Sequence, residues 1–154
     1  SQPLGFAVLL NLASVCNAED AASLWGFISR YVPDATPDNA PMLDALAQYA
    51  VNYYVDFVKP EKQHRAPDER ERAALEDLAA ALATLADDAE AIQFEVYEIG
   101  KRHSFDPLRD WFKAMYETLL GQSTGPRMGS FIALYGRAET IALIGKVLAG
   151  EAIE

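Results

Sequence analysis

The sequence is short of cysteine and of long apolar runs, and each shortage excludes a class of protein. Its single cysteine, Cys16, cannot form an internal disulfide, so the chain is not a disulfide-stabilised secreted domain and is expected in a reducing compartment. The longest apolar run, residues 3–16, is shorter than the roughly 20 residues that a membrane-spanning helix needs. That run also lacks the basic flank of a signal peptide. These absences predict a cytoplasmic protein that does not bind a membrane.

Residues that carry catalysis or hold metals are equally sparse. The two histidines, His64 and His103, lie far apart in the sequence, and neither has further ligands at the short spacing of a metal site. No nucleophile elbow singles out a serine. A phosphate loop of the form GxxxxGKS or GxxxxGKT is absent. We therefore predict no catalytic and no metal-binding residues in this chain, and no cofactor.

Apolar residues recur at spacings of three and four along most of the chain, which is typical of amphipathic helices. No alternation of period two indicates β-strands. A chain of 154 residues is expected to form one domain. We predict an all-α bundle of about seven or eight helices, with helical residues near 4–16, 18–31, 41–58, 67–85, 87–100, 106–120, 126–135 and 138–149.

The most regular apolar stripe belongs to the sixth predicted helix, which Gly121 ends. Its residues follow the i, i+3, i+4, i+7 spacing that places side chains on one helical face. We predict that the whole stripe is core, so that Trp111, Phe112 and Tyr116 are not available to stack on a ligand. The stripe consists of Leu108, Trp111, Phe112, Met115, Tyr116, Leu119 and Leu120.

Short polar and proline motifs predict where helices begin. Asn17 and Asp20 have the three-residue spacing of a capping arrangement before the second helix. Asp106 and Pro107 suit a cap and the first position of the sixth helix. Pro126 suits the first position of the seventh helix in the same way.

Charge is distributed unevenly along the chain. The net charge of -10 argues against nucleic-acid binding if the charge is treated as uniform. Residues 101–146, however, contain seven basic and four acidic residues, a net charge of +3, which leaves -13 for the remainder. A basic face on an acidic body is compatible with RNA binding.

Three basic residues near the sixth and seventh helices are candidates for contact with an anion. Arg109 and Lys113 are four residues apart on the polar side of the sixth helix. Arg127 falls in the first turn of the seventh helix, where free backbone N–H groups favour phosphate. The alternative is that Arg109 and Lys113 pair with the carboxylates around them, and the charge pattern leaves both interpretations open.

Two long segments of the sequence resemble class I lysyl-tRNA synthetases. YEIGKRH at residues 97–103, followed by LRDWFKAMYETLLGQSTGPRMGSFIALYG at 108–136, is similar to the C-terminal region of that family. There an aromatic-rich helix ends in Leu-Leu-Gly and leads to a short helix that contains Gly-Pro-Arg. PLGFAVLLNLASVCNAEDAASLWGFISRYVP at 3–33 is similar to the helical segment that precedes it. The resemblance extends over essentially the whole chain.

The resemblance implies an all-helical anticodon-binding domain, related in type to the helical domain of glutamyl-tRNA synthetases. Residues 1–154 would form this single domain, with connecting and core helices over about 1–60 and the anticodon-binding part over about 67–154. In the family, a separate catalytic domain activates lysine with ATP and transfers it to tRNA. The HIGH-like and KMSKS-like motifs of that domain are absent from this sequence. The chain is thus expected to be either a fragment of a lysine–tRNA ligase without the active site, which we favour, or a stand-alone relative. This chain alone is not expected to be catalytic.

Two functional hypotheses follow. The first is a module that grips the anticodon stem and loop, with lysine tRNA and the catalytic domain as partners rather than DNA. The second is a helical protein-interaction or scaffolding module, in which the apolar first helix and Trp25 dock onto a partner. The candidate tRNA contacts, assigned from charge and from position in the matched segment, are Lys101, Arg102, Arg109, Lys113, Gly125, Pro126, Arg127 and Arg137.

Overall fold

Helices make up most of the computed structural model, which describes residues 4–153; residues 1–3 and 154 of the predicted domain lie outside the described residues. Residues 4–153 contain eight α-helices and no β-strand, which confirms the predicted all-α class. The helices are α1 (Phe6–Cys16), α2 (Ala22–Tyr31), α3 (Pro41–Tyr53), α4 (Glu69–Leu82), α5 (Ala89–Arg102), α6 (Arg109–Met115), α7 (Met128–Tyr135) and α8 (Arg137–Leu148).

Two helices continue into a wider turn that the apolar periodicity does not reveal. A π-helical turn at Tyr54–Val58 follows α3, and another at Tyr116–Leu120 follows α6. In such a turn the hydrogen bonds run to the fifth residue instead of the fourth. The continuous helices predicted over 41–58 and 106–120 are therefore each a shorter α-helix followed by a π-helical turn.

The capping arrangement predicted before α2 is wrong in one of its two residues. Asn17 adopts the left-handed conformation, with φ of 48°, and ends α1, where its N–H donates to the Ser14 carbonyl. Asparagine tolerates this conformation better than most residues. Asp20 does accept a hydrogen bond at the start of α2, from the Ser23 N–H at 3.0 Å.

Two helix starts predicted from proline are displaced by two residues or more. α6 begins at Arg109 with Leu108 in the N-cap position, so Asp106 is not the cap and Pro107 is not the first residue. α7 begins at Met128 with Arg127 in the N-cap position, so Pro126 is not its first residue. Proline suits both the first turn of a helix and the extended residues before it, so the motif alone does not fix the boundary.

Two hydrophobic clusters meet at α7. The first cluster is built by α4–α8 around Trp111 and Phe131, and the second by α1–α3 around Tyr54. α7 contributes Ile132 to the first cluster and Leu134 to the second. One helix thus belongs to both cores.

The segment between the two clusters, residues 59–68, is called the connector from here on. It is exposed over most of its length, but hydrogen bonds attach it to both clusters. The Lys62 Nζ donates to the Ser14 carbonyl at 2.9 Å and to the Tyr54 hydroxyl at 3.1 Å. The backbone N–H of Gln63 donates to the Gly121 carbonyl at 2.9 Å. These bonds hold the connector against the end of α1 and against the turn that follows α6.

Neutralising Glu71 is expected to loosen the connector, and the effect should depend on pH. Two nitrogens of Arg65 donate to the two Glu71 oxygens at 2.8 Å, and these hydrogen bonds lower the Glu71 pKa from its ordinary value of 4.5. A carboxyl with a lowered pKa stabilises the fold above its ordinary pKa, and the contribution is lost as pH falls through the folded value. Glu71→Gln should therefore reduce the free energy of unfolding by about 2 kcal/mol near pH ~7 and by less near pH ~3, measured by urea denaturation.

Glu76 provides the control for this substitution, since it is exposed on the same helix. Glu76→Gln should change the free energy of unfolding by less than about 0.5 kcal/mol at either pH. An equal loss for Glu71→Gln at both pH values would show that the ion pair with Arg65 is not its cause.

Candidate nucleic-acid interface

A buried tryptophan joins α5 and α6 and fixes the surface between them. Trp111 is fully buried, and its Nε1 donates to the Val96 carbonyl at 3.0 Å. A Cβ on Gly100 would come within 2.7 Å of the Trp111 Cδ1 atom. The missing side chain at Gly100 therefore lets the indole ring rest directly on α5.

Next to this contact lies an aromatic groove between α5, α6 and the start of α7. The ring centroid of Phe112 is 5.2 Å from that of Tyr97 and 6.5 Å from that of Tyr116. The Tyr116 hydroxyl donates to the Pro126 carbonyl at 2.8 Å, and Gly125 is so close to the same ring that a Cβ would not fit. The groove has a volume of about 340 Å³ and is lined by Gln93, Tyr97, Phe112, Tyr116, Gly125, Pro126 and Arg127.

Part of the stripe predicted as core reaches the surface in this groove. Trp111 is buried as predicted, whereas Phe112 and Tyr116 are each partly exposed. Like Leu108, these two pack against the core without being fully buried, so the prediction that the whole stripe is core is wrong in its extent. Tyr97 and Phe94 of α5, with 42% and 66% of their surface exposed, add further aromatic surface.

Arg127 lines the aromatic groove, and three other predicted basic residues lie within four residues of Tyr97 or Phe112 in the sequence. Lys101 comes one turn after Tyr97 in α5, and Lys113 follows Phe112 directly in α6. Arg127 is itself part of the lining. These residues are all exposed, and they are called the basic rim from here on: Lys101, Arg109, Lys113 and Arg127.

The ion pairs of the two rim lysines are long and exposed. The Lys101 Nζ lies 3.9 Å from a Glu98 oxygen, and the Lys113 Nζ lies 3.9 Å from a Glu117 oxygen. Exposed pairs at helical spacing contribute about 0.3–0.5 kcal/mol. Among residues 4–153, no carboxylate lies within ion-pair distance of Arg109. The alternative that these cations pair with neighbouring carboxylates therefore holds for Lys113 but not for Arg109.

Arg127 connects the rim to the beginning of two helices. Its Nη2 donates to a Glu90 oxygen of α5 at 2.9 Å, and its Nη1 donates to the Ser130 hydroxyl of α7 at 3.3 Å. The residue itself is the N-cap of α7. The guanidinium is thus held beside the positive end of a helix, where an anion is favoured.

Arg102 and Arg137 are committed to contacts within the fold. The Arg102 Nε donates to Asp77 at 3.0 Å. The Arg137 Nη1 donates to the carbonyls of Leu82 and Leu85, at 3.3 and 2.6 Å, where α4 ends. A cation that satisfies carbonyls at a helix C-terminus stabilises that helix. These contacts favour a structural role for Arg137, and as tRNA contacts both arginines stay predictions.

The remaining titratable side chains of residues 4–153 were compared with the requirements of a metal site and of a reactive thiol. Within residues 4–153, no cluster of histidine, cysteine and carboxylate side chains could hold a metal ion. The His103 Nε2 lies 2.8 Å from Asp77, while burial and the nearby Lys62 lower the pKa of His64. Burial raises the pKa of Cys16 to about 11, so its thiol is protonated at neutral pH. The described helices also include none with the length and apolarity that a membrane crossing requires.

Fold and surface together define an all-helical domain with a basic rim around an aromatic groove. Sequence comparison relates the chain to curated proteins named lysine–tRNA ligase. It is 57% identical over 148 residues, 95% of the chain, to the one from Roseobacter denitrificans. Identity is 51% over 145 residues, 93% of the chain, for Rickettsia bellii, and 50% over 141 residues, 90% of the chain, for Rickettsia felis. The expected resemblance to lysyl-tRNA synthetases is confirmed.

The matched region is a minor part of each relative. The chain spans 27–28% of the length of these three ligases. No family model matches the chain, and no solved structure matches it. The chain is therefore related to one segment of lysine–tRNA ligases.

Proposed function

We propose that this chain is the tRNA-binding domain of a class I lysyl-tRNA synthetase and that it grips the anticodon stem and loop. The observation that carries the proposal is that Arg127 lines the aromatic groove and that the other cations of the basic rim are exposed on α5 and α6, which form the groove. The name of the relatives, lysine–tRNA ligase, supports tRNA as the partner. In the full-length enzyme, other residues would activate lysine with ATP and transfer it to the tRNA. This chain would supply affinity for the tRNA and orient it.

The rim suits a phosphate backbone because its cations are exposed and their present partners are easily displaced. A pair such as Arg127 with Glu90 is worth at most about 1 kcal/mol at the surface. A phosphate offers Arg127 a bidentate partner in exchange. Binding several phosphates also releases counterions from the RNA, which makes such binding dependent on salt.

Replacing Lys113 and Arg127 with alanine is expected to weaken binding of lysine tRNA and to flatten its salt dependence. Each lost phosphate contact changes the slope of log K against log salt by about 0.7–0.9, so the double variant should lose roughly 1.6. Fluorescence anisotropy of labelled lysine tRNA, titrated with the chain at several KCl concentrations, measures both the affinity and the slope.

A matched pair of lysines controls for the loss of positive charge. Lys59 and Lys146 are exposed and do not line the aromatic groove. Their double alanine variant removes the same charge and should leave the slope unchanged. If both double variants lose affinity equally, binding follows total charge and the assignment to the basic rim is wrong.

The alternative function, a protein-interaction module, is favoured by aromatic residues on α3. Tyr53 lies 6.5 Å from Tyr49 and 5.0 Å from Phe57, between ring centroids, and all three are exposed. The docking residue predicted from the sequence is wrong, because Trp25 is buried and donates to Asp44. Light scattering combined with an electrophoretic shift of lysine tRNA separates the two functions. A self-associated chain that leaves the tRNA unshifted would favour the alternative.

A further inference from the structure

The aromatic groove presents a flat ring beside several cations, and we infer that one unpaired nucleobase stacks on Tyr97. This inference rests on the proposed tRNA function, and it adds the chemical class of the ligand that the groove binds. The ligand is an unpaired nucleotide, with its base on the Tyr97 ring and its phosphate against the basic rim.

The open ring of Tyr97 is the first observation behind this inference. Its ring plane is inclined by 58° to that of Phe112, with centroids 5.2 Å apart, so no base fits between the two rings. Phe112 instead supports Tyr97 from one side, while 42% of the Tyr97 surface stays open to solvent. A base that stacks on the open part of the ring gains apolar contact without moving either residue.

The support behind the ring is the second observation. Phe112 contacts Tyr116, which is held by its hydrogen bond to Pro126 and by the close approach of Gly125. These contacts restrict the Tyr116 ring, and Phe112 packs between Tyr116 and Tyr97. A preorganised surface loses less side-chain entropy on binding than a flexible one does.

The charge around the ring selects a nucleotide over an uncharged apolar ligand. Lys101 is one helical turn from Tyr97, and Arg127 lines the same groove. An aromatic face combined with cations that follow a backbone is the common solution for binding single-stranded nucleic acid. Bases in a duplex are already stacked on their neighbours, so the groove should distinguish unpaired from paired RNA.

Tyr97→Leu tests the inference, because leucine keeps an apolar side chain but removes the flat ring. Two RNA probes are used with the full chain: the anticodon stem-loop of lysine tRNA, and a fully paired duplex with the same number of phosphates. Tyr97→Leu should weaken stem-loop binding about tenfold and duplex binding less than about twofold, with an unchanged salt slope. Tyr97→Trp should bind the stem-loop at least as well as the unsubstituted chain. Tyr49→Leu, which removes an exposed ring on α3, should have no effect.

The possible failures of this inference and of the proposed function are distinguishable. Unchanged stem-loop affinity in Tyr97→Leu, while Lys113→Ala with Arg127→Ala weakens binding, would overturn the stacking role and leave tRNA binding intact. An equal loss on both RNA probes would also overturn stacking, since a duplex offers no unpaired base. If neither probe binds the unsubstituted chain, both the inference and the proposed function fail.

Discussion

Alanine in place of Trp111 is expected to lower the free energy of unfolding by about 4 kcal/mol. The indole is fully buried, its ring centroid lies 5.3 Å from that of Phe105, and its Nε1 satisfies the Val96 carbonyl. Truncation would leave a large cavity and would remove the hydrogen bond that the indole donates to the Val96 carbonyl. Urea denaturation followed by circular dichroism measures the loss.

The same helix pair supplies the control. Phe94 is also aromatic but largely exposed, so Phe94→Ala should change the free energy of unfolding by no more than about 0.5 kcal/mol. Trp111→Phe retains much of the buried volume, so its loss of unfolding free energy should lie between those of Trp111→Ala and Phe94→Ala. A loss below about 1 kcal/mol for Trp111→Ala would mean that the junction of α5 and α6 does not depend on the indole.

Gly129→Ala is expected to cost about 3 kcal/mol, although alanine is the better helix former. α7 packs on α5 at this glycine, where the added Cβ would collide with the Ala89 carbonyl oxygen and come within 2.7 Å of the Gln93 Cβ. The Gly129 N–H also donates to the Gln93 side chain at 2.6 Å, so the two helices cannot separate without weakening that bond. The shift in the urea midpoint, at an unchanged m-value, gives the loss.

At a second helical glycine, Gly145, substitution by alanine is expected to stabilise the fold instead of destabilising it. A Cβ on Gly145 of α8 would have no atom within 4 Å. Gly145→Ala should therefore raise the free energy of unfolding by about 0.5–1 kcal/mol, through helix propensity alone. Stabilisation by both substitutions would show that α5 and α7 are not in close contact at Gly129.

The sequence predicts the helices well because each buries one stripe, and a stripe has a period that can be read. It predicts the ends of the helices less well. A helix end depends on single residues, and the same residue type can occur in more than one local conformation. Asn17 has the side chain of a cap and the tolerance for a left-handed backbone, and the structure uses the second property. The π-helical turn after α6 is hidden for a related reason: its buried residues Leu119 and Leu120 continue the apolar spacing of α6, so the sequence shows no break where the hydrogen-bond spacing changes.

The sequence predicts the basic residues of the candidate site, but it does not predict the aromatic groove beside them. A local excess of basic residues is visible in the sequence, but the partner of each cation is not, so Arg137 could not be recognised as a cap for α4. Periodicity shows which side chains share a face, and it does not show how much of that face a neighbour covers. Phe94 and Tyr97 lie outside the inward stripe of α5, and aromatic residues in such positions are the pattern that could have indicated the groove.

The helix shared by the two hydrophobic clusters makes the folding of the chain cooperative. Leu134 completes the cluster of α1–α3 from a helix whose Phe131 and Ile132 belong to the other cluster. Melting either half removes buried neighbours from the second, so neither half is an independent folding unit. The connector therefore lies inside a single thermodynamic unit, and a fragment cut there would lose the core contacts that join the two clusters.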